Sequence, residues 1–110
     1  MNKREKLFEI FDNFMDNKYK GDNTVEDMFL IIIYPGCRWE CLVKRDPNRD
    51  HFYNYYTKAF SEDLEVMNYT DRHDLTTGKP NKKHRIVGVR ITYKDNTSDV
   101  IQLGIDLGII

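Results

Sequence analysis

Cys37 and Cys41 are the two thiols in this chain that could hold a metal ion. On a strand this C-x3-C pair shares one face at a separation of about 13 Å, too far for one zinc ion. Structural zinc also takes four ligands, and no Cys or His pair at knuckle spacing supplies the others. The two thiols are expected to pack as small apolar groups beside Trp39. A second candidate is Asp71-Arg72-His73-Asp74, where carboxylates flank an imidazole and raise its basicity. A small enzyme or nuclease would be centred on His73, but no nucleophile elbow of the G-x-S-x-G kind accompanies it. His51 and His84 also lie in polar contexts, and neither G-x-G-x-x-G nor G-x-x-x-x-G-K-[ST] occurs. The residues therefore predict no catalytic set, no metal and no cofactor.

Three other groups carry recognition chemistry rather than reaction chemistry. Lys79, Lys82, Lys83 and Arg85 place four positive charges in the seven residues 79–85, a stretch that could grip phosphate. Phe52, Tyr53, Tyr55, Tyr56 and Phe60 crowd five rings into nine positions. A helix buries one face, so core filling accounts for about three of them. Tyr53, Tyr55 and Tyr56 are the rings expected at a contact surface, because tyrosine suits the buried centre of an interface. Glu62, Asp63 and Glu65 follow closely and read as a solvated acidic turn that would steer a basic partner.

The elements that position these groups follow from periodicity. Leu7, Ile10, Phe11 and Phe14 recur at helical spacing, and Gly21 with Asp22-Asn23-Thr24 ends that helix. Residues 27–34 are β-rich around Ile31-Ile32-Ile33, with no polar alternation, which predicts a central strand covered on both faces. After Pro35-Gly36, Cys37, Trp39, Cys41 and Val43 alternate with polar neighbours as a half-buried strand does. Asp46 with Pro47 would cap a helix over 48–60, for which a Tyr-rich strand is the alternative. Leu64 to Val66 reads as a short strand and Asp71 to Lys83 as a long exposed loop. Val87, Val89, Ile91 and Tyr93 share one face of a strand. Lys94-Asp95-Asn96-Thr97 then turns the chain, and Ile101, Leu103, Ile105 and Leu107 share a face of the next strand. The fold expected is α+β: an N-terminal helix and a second helix packed on an antiparallel sheet built from two hairpins. Its core should hold Leu7, Phe11, Phe14, Ile32, Trp39, Val89, Ile91, Leu103 and Ile105.

Composition bounds the rest. The 110 residues fit one domain, and aromatics at 13% argue against disorder. A formal charge of −1 argues against both a nucleic-acid coat and an acidic nucleic-acid mimic. The opening residues lack the continuous apolar run of an export signal, and two cysteines are few for a small secreted domain, so a cytosolic protein, bacterial or in a host cell, is expected. The leading functional reading is a small non-catalytic protein that binds and inhibits a protein partner, such as a nucleic-acid-binding enzyme. Phage or mobile-element anti-defence proteins (anti-CRISPR-like), immunity proteins and antitoxins are of this type, an analogy carried by no matched residue. The alternatives are a nucleic-acid-binding module using residues 79–85 and an enzyme centred on His73; no membrane role is expected. The nucleic-acid alternative is checked by titrating duplex DNA at low salt. It requires binding whose log–log salt slope falls by about one per phosphate contact removed when Lys79, Lys82 and Lys83 become Ala. Failure of the parent protein to bind DNA at low salt ends that alternative.

Overall fold

The computed structural model describes residues 2–34, 37–43, 48–69 and 76–103. The order is α1 (Lys3–Lys20), β1 (Val25–Tyr34), β2 (Cys37–Leu42), α2 (Arg49–Ala59), β3 (Glu65–Tyr69), β4 (Thr76–Tyr93) and β5 (Ser98–Gln102). The α+β expectation holds: both helices pack on an antiparallel sheet with path β2-β1-β4-β3, and β5 also pairs with β4. β4 is the shared strand. It pairs with β1 along one edge, while β3 and β5 lie end to end along the other, at Arg85↔Glu65 and Gly88↔Gln102.

α1 is set by its caps and its stripe. The Asn2 side chain accepts the Glu5 N–H, satisfying one open donor of the first turn. The Gly21 N–H closes on the Asp16 carbonyl at 2.8 Å, and a Cβ on Gly21 would stand 3.1 Å from Asn17 Cα. Leu7, Ile10, Phe11 and Met15 are buried. Phe14, expected in the core, is half-buried with the Lys18 ammonium 5.7 Å from its ring centre, because Met15 takes the inward position one turn after Phe11.

Two irregularities decide which strand residues face the helices. β1 carries an extra residue between Val25↔Tyr93 and Met28↔Ile91. Thr92 Oγ1 repairs it, accepting from the Asp27 N–H at 3.0 Å and donating to the Asp27 carbonyl. Val25, Met28 and Leu30 thereby all reach the core despite their uneven spacing. β4 carries its extra residue where Ile31 pairs Gly88 and Ile32 pairs Ile86. Ile86, not Val87, thus joins Val89 and Ile91 in the helix-side core, which corrects the period-two reading of this strand. Ile31 and Val87 are buried outside that cluster, but Phe29 and Ile33, on the same face as Ile31, are only half-buried, so the two-face burial expected for this strand is met only at its centre.

Other expectations change as well. Thr76 to Lys83 is backbone of β4, not loop, because pairing with β3 (Met67↔Pro80, Tyr69↔Thr76) extends the strand. Ile32 and Trp39 are half-buried, since they pair with each other where the sheet reaches edge strand β2. Helix α2 begins at Asn48, whose side chain accepts the His51 N–H at 3.0 Å, rather than at an Asp46 cap. Asp46, Pro47, His73 with its acidic neighbours, Ile105 and Leu107 lie outside the described residues. Leu64 is fully buried at φ 63°, a left-handed conformation that a branched residue adopts at a cost of about 1–3 kcal/mol. Its side-chain burial and two backbone hydrogen bonds, to Ser61 and from Ile86, hold it there. The turn Tyr93–Thr97 closes as the sequence predicts, with Asn96 at φ 71°.

Phe11 joins both helices and is 1% exposed. Phe11→Ala should lower unfolding free energy by about 3–5 kcal/mol in urea titrations. An unchanged midpoint and slope would reject this packing.

Candidate functional site

α2 carries the richest surface because its rings are sorted by face. Phe52 stacks on Phe11 and meets Phe8 edge-on, so α2 is pinned to α1. Ala59 and Phe60 complete the buried side. At the start of α1, Arg4 ties down the end of α2: its guanidinium donates to the Phe60 carbonyl at 2.9 Å, and its backbone N–H to the Glu62 carbonyl.

The three tyrosines expected together at a contact surface fall into three environments. Tyr53 leans toward α1, its ring centre 4.5 Å from that of Phe8. Burial, then the hydrogen bond it donates to Asp12, pushes its pKa up to about 12. Arg49 lies between Asp12 and Asp16 on this side, with Nε 3.4 Å from Asp12 Oδ1 and a close contact to Asp16. Its own pKa is raised by that hydrogen bond to Asp16. Tyr56 packs between Phe52 and Phe60, and burial, with Tyr55 and Cys41 nearby, raises its pKa well above the ordinary phenol value. Only Tyr55 stands out, 57% exposed, edge-on to Tyr56 at 5.0 Å. Four of the five rings therefore serve packing, one more than helical amphipathicity alone suggests.

Tyr55 walls a groove of about 470 Å³ between α2 and the end of β2. Asn48, His51, Phe52, Tyr55 and Tyr56 line it from the helix, and Leu42 and Val43 from the strand side. The helical contributors recur at i, i+3, i+4, i+7 and i+8, a single stripe. Leu42 is 46% exposed, so two of the four large apolar side chains exposed among the described residues meet here. The lining is mainly apolar with an imidazole and an amide at its margin, suited to an apolar side chain bearing a polar tip.

The acidic turn is less uniform than expected. Glu62 and Asp63 are exposed, but Glu65 opens β3 with its side chain 13% exposed and faces Arg85 at 3.6 Å. Glu65 thus belongs to the fold rather than to a solvated rim, and Arg85 is paired with it rather than solely presented to solvent. Lys79, Lys82 and Lys83 have their backbone in β4, and their side chains lie outside the described residues. Cys37 and Cys41 are free and half-buried, and the Trp39 indole N–H approaches Cys41 Sγ at 3.2 Å. Among the described residues, no three His, Cys, Asp or Glu side chains gather as metal ligands. No helix among those residues is long and apolar enough to cross a membrane.

Reading by rings alone missed Leu42, Val43, Asn48 and His51. The signals were present: Leu42 is an apolar residue at an outward position of an alternating strand, and His51 lies four residues before Tyr55. No protein-family model matches the chain, nor does any curated protein or solved structure.

Tyr53 makes a pH prediction. Its folded pKa lies above the unfolded value near 10, so the folded state retains a proton that the unfolded state releases. The stabilisation is complete below about pH 10 and is lost as pH rises toward 12. Tyr53→Phe should flatten the alkaline fall in unfolding free energy across that window, measured by urea unfolding at successive pH values. A fall of identical steepness in the variant would contradict the assignment.

Proposed function

We propose that this protein works without catalysis, by binding a protein partner whose apolar or aromatic side chain enters the groove beside α2. The observation that carries the reading is Tyr55, exposed over more than half its surface on a groove wall shared with exposed Leu42. A ring that is wet when free and dry when bound contributes large area at small rotamer cost. The packed rings of Phe52 and Tyr56 behind it, centres 4.5 Å apart, reduce the ordering required on binding. Glu62 and Asp63, exposed just after α2, would favour encounter with a basic partner such as a nucleic-acid-binding enzyme.

The type of binder proposed is an inhibitor of the anti-defence, immunity or antitoxin kind, anti-CRISPR-like inhibitors included. Its support is the small size and near-neutral charge of the chain together with this groove. The reading is tested by purifying the partner on the immobilised protein and measuring affinity by calorimetry. Tyr55→Ala should weaken binding about thirtyfold, the loss of an interface anchor worth about 2 kcal/mol. Val100→Ala, at an exposed apolar residue of β5 that does not line the groove, should leave affinity unchanged. Equal affinity of folded Tyr55→Ala and parent would refute the groove as the contact.

A further inference from the structure

β2 is an edge strand, and its sequence complements itself. Val43 donates its N–H to the Met28 carbonyl on β1. Antiparallel pairing alternates, so Cys41, Trp39 and Cys37 also turn their backbone groups toward β1. Arg38, Glu40 and Leu42 therefore turn theirs outward, toward an edge that no described strand covers. Such an edge is a template for another strand.

We propose that β2 pairs antiparallel with β2 of a second copy of this chain, joining two sheets across a two-fold axis at Trp39. The outward backbone groups restrict the possible registers, and charge selects among them. Centring on Arg38 sets the two arginines opposite each other, and centring on Glu40 does the same to the glutamates; like charges so placed repel. Centring on Trp39 sets Arg38 opposite Glu40 of the second copy, twice, as hydrogen-bonded pairs. All four charged side chains then lie on one face of the joined sheet. Glu40 already accepts the Arg90 guanidinium at 2.6 Å, so each carboxylate would sit between two cations. This contact is isologous, as a two-fold dimer requires.

The same register decides the fate of the thiols. Cys37 falls opposite Cys41 of the second copy in a non-hydrogen-bonded pair, with Cα atoms about 4.5 Å apart. That lies within the range of a disulfide, about 4.4–6.8 Å, whereas Cys37 and Cys41 of one strand stand about 13 Å apart and cannot join. Intermolecular cross-linking therefore reads out the register. Diamide would accept the two electrons and two protons released as each pair of thiols becomes a disulfide.

Sedimentation equilibrium of the reduced protein over a concentration series should show a monomer–dimer equilibrium. Arg38→Pro removes an outward N–H and the guanidinium but no hydrogen bond to β1, so the variant should retain its circular dichroism and remain monomeric. Arg38→Glu should weaken the dimer, most at low salt. With diamide, Cys37→Ser and Cys41→Ser should each fail to cross-link alone, while their mixture should give a covalent dimer. A parent protein that stays monomeric at every concentration overturns the proposal. So does either single-cysteine variant cross-linking alone as readily as the mixture does.

Discussion

The Phe11 and Phe52 rings lie within 5° of parallel with centres 3.7 Å apart, and the orientation of α2 depends on that contact. α2 has only eleven residues, too few to be a stable helix by itself. Its stability comes from the face it buries. Once Phe52 is fixed against α1, the 100° step per residue decides everything else on this helix. Tyr53 turns toward Phe8 and Asp12, Tyr56 turns inward beside Phe60, and Tyr55 is left facing outward. The groove is thus a consequence of core packing: its floor is the edge of the core, and its wall is the ring that the core does not accommodate.

A comparable constraint governs the sheet. β4 hydrogen-bonds to three strands, so any displacement of its register propagates to all of them. The extra residues in β1 and β4 do not weaken this arrangement. They bring Val25, Met28, Leu30, Ile86, Val89 and Ile91 onto one face under the helices. The Thr92 hydroxyl satisfies both backbone groups of Asp27 that the first irregularity frees, at the level of one short side chain. The buried left-handed Leu64 belongs to the same economy, because local strain at the entry to β3 is offset by full burial of the side chain.

Much of this fold was legible in the sequence, for identifiable reasons. Leu7, Ile10 and Phe11 announce α1, alternation from Cys37 to Val43 announces β2, and Asp95-Asn96 announces the last turn. What the sequence concealed was phase. Period-two reading assigns Val87 to the core face, and only the β4 irregularity exchanges it for Ile86. The strand character of Thr76 to Lys83 was hidden because polar residues and Pro80 resemble a loop until β3 is placed beside them. The candidate site was half legible: the ring surplus pointed to α2, but Tyr53 and Tyr56 are absorbed by contacts across α1 and the core that no local pattern encodes. Leu42 could be associated with Tyr55 only after the strand and helix were set side by side.

The central claim is that α2 divides adjacent tyrosines, leaving Tyr55 available for contact and Tyr56 committed to packing. Nitration by tetranitromethane, followed by fragment-ion mass spectrometry that separates neighbouring residues, measures this division directly in the free protein. The structure predicts rapid modification of Tyr55 and slower modification of Tyr56, since Tyr56 is half-buried between Phe52 and Phe60 and burial raises its pKa. Nitration of Tyr56 at the same rate as Tyr55 in the folded protein would contradict the account.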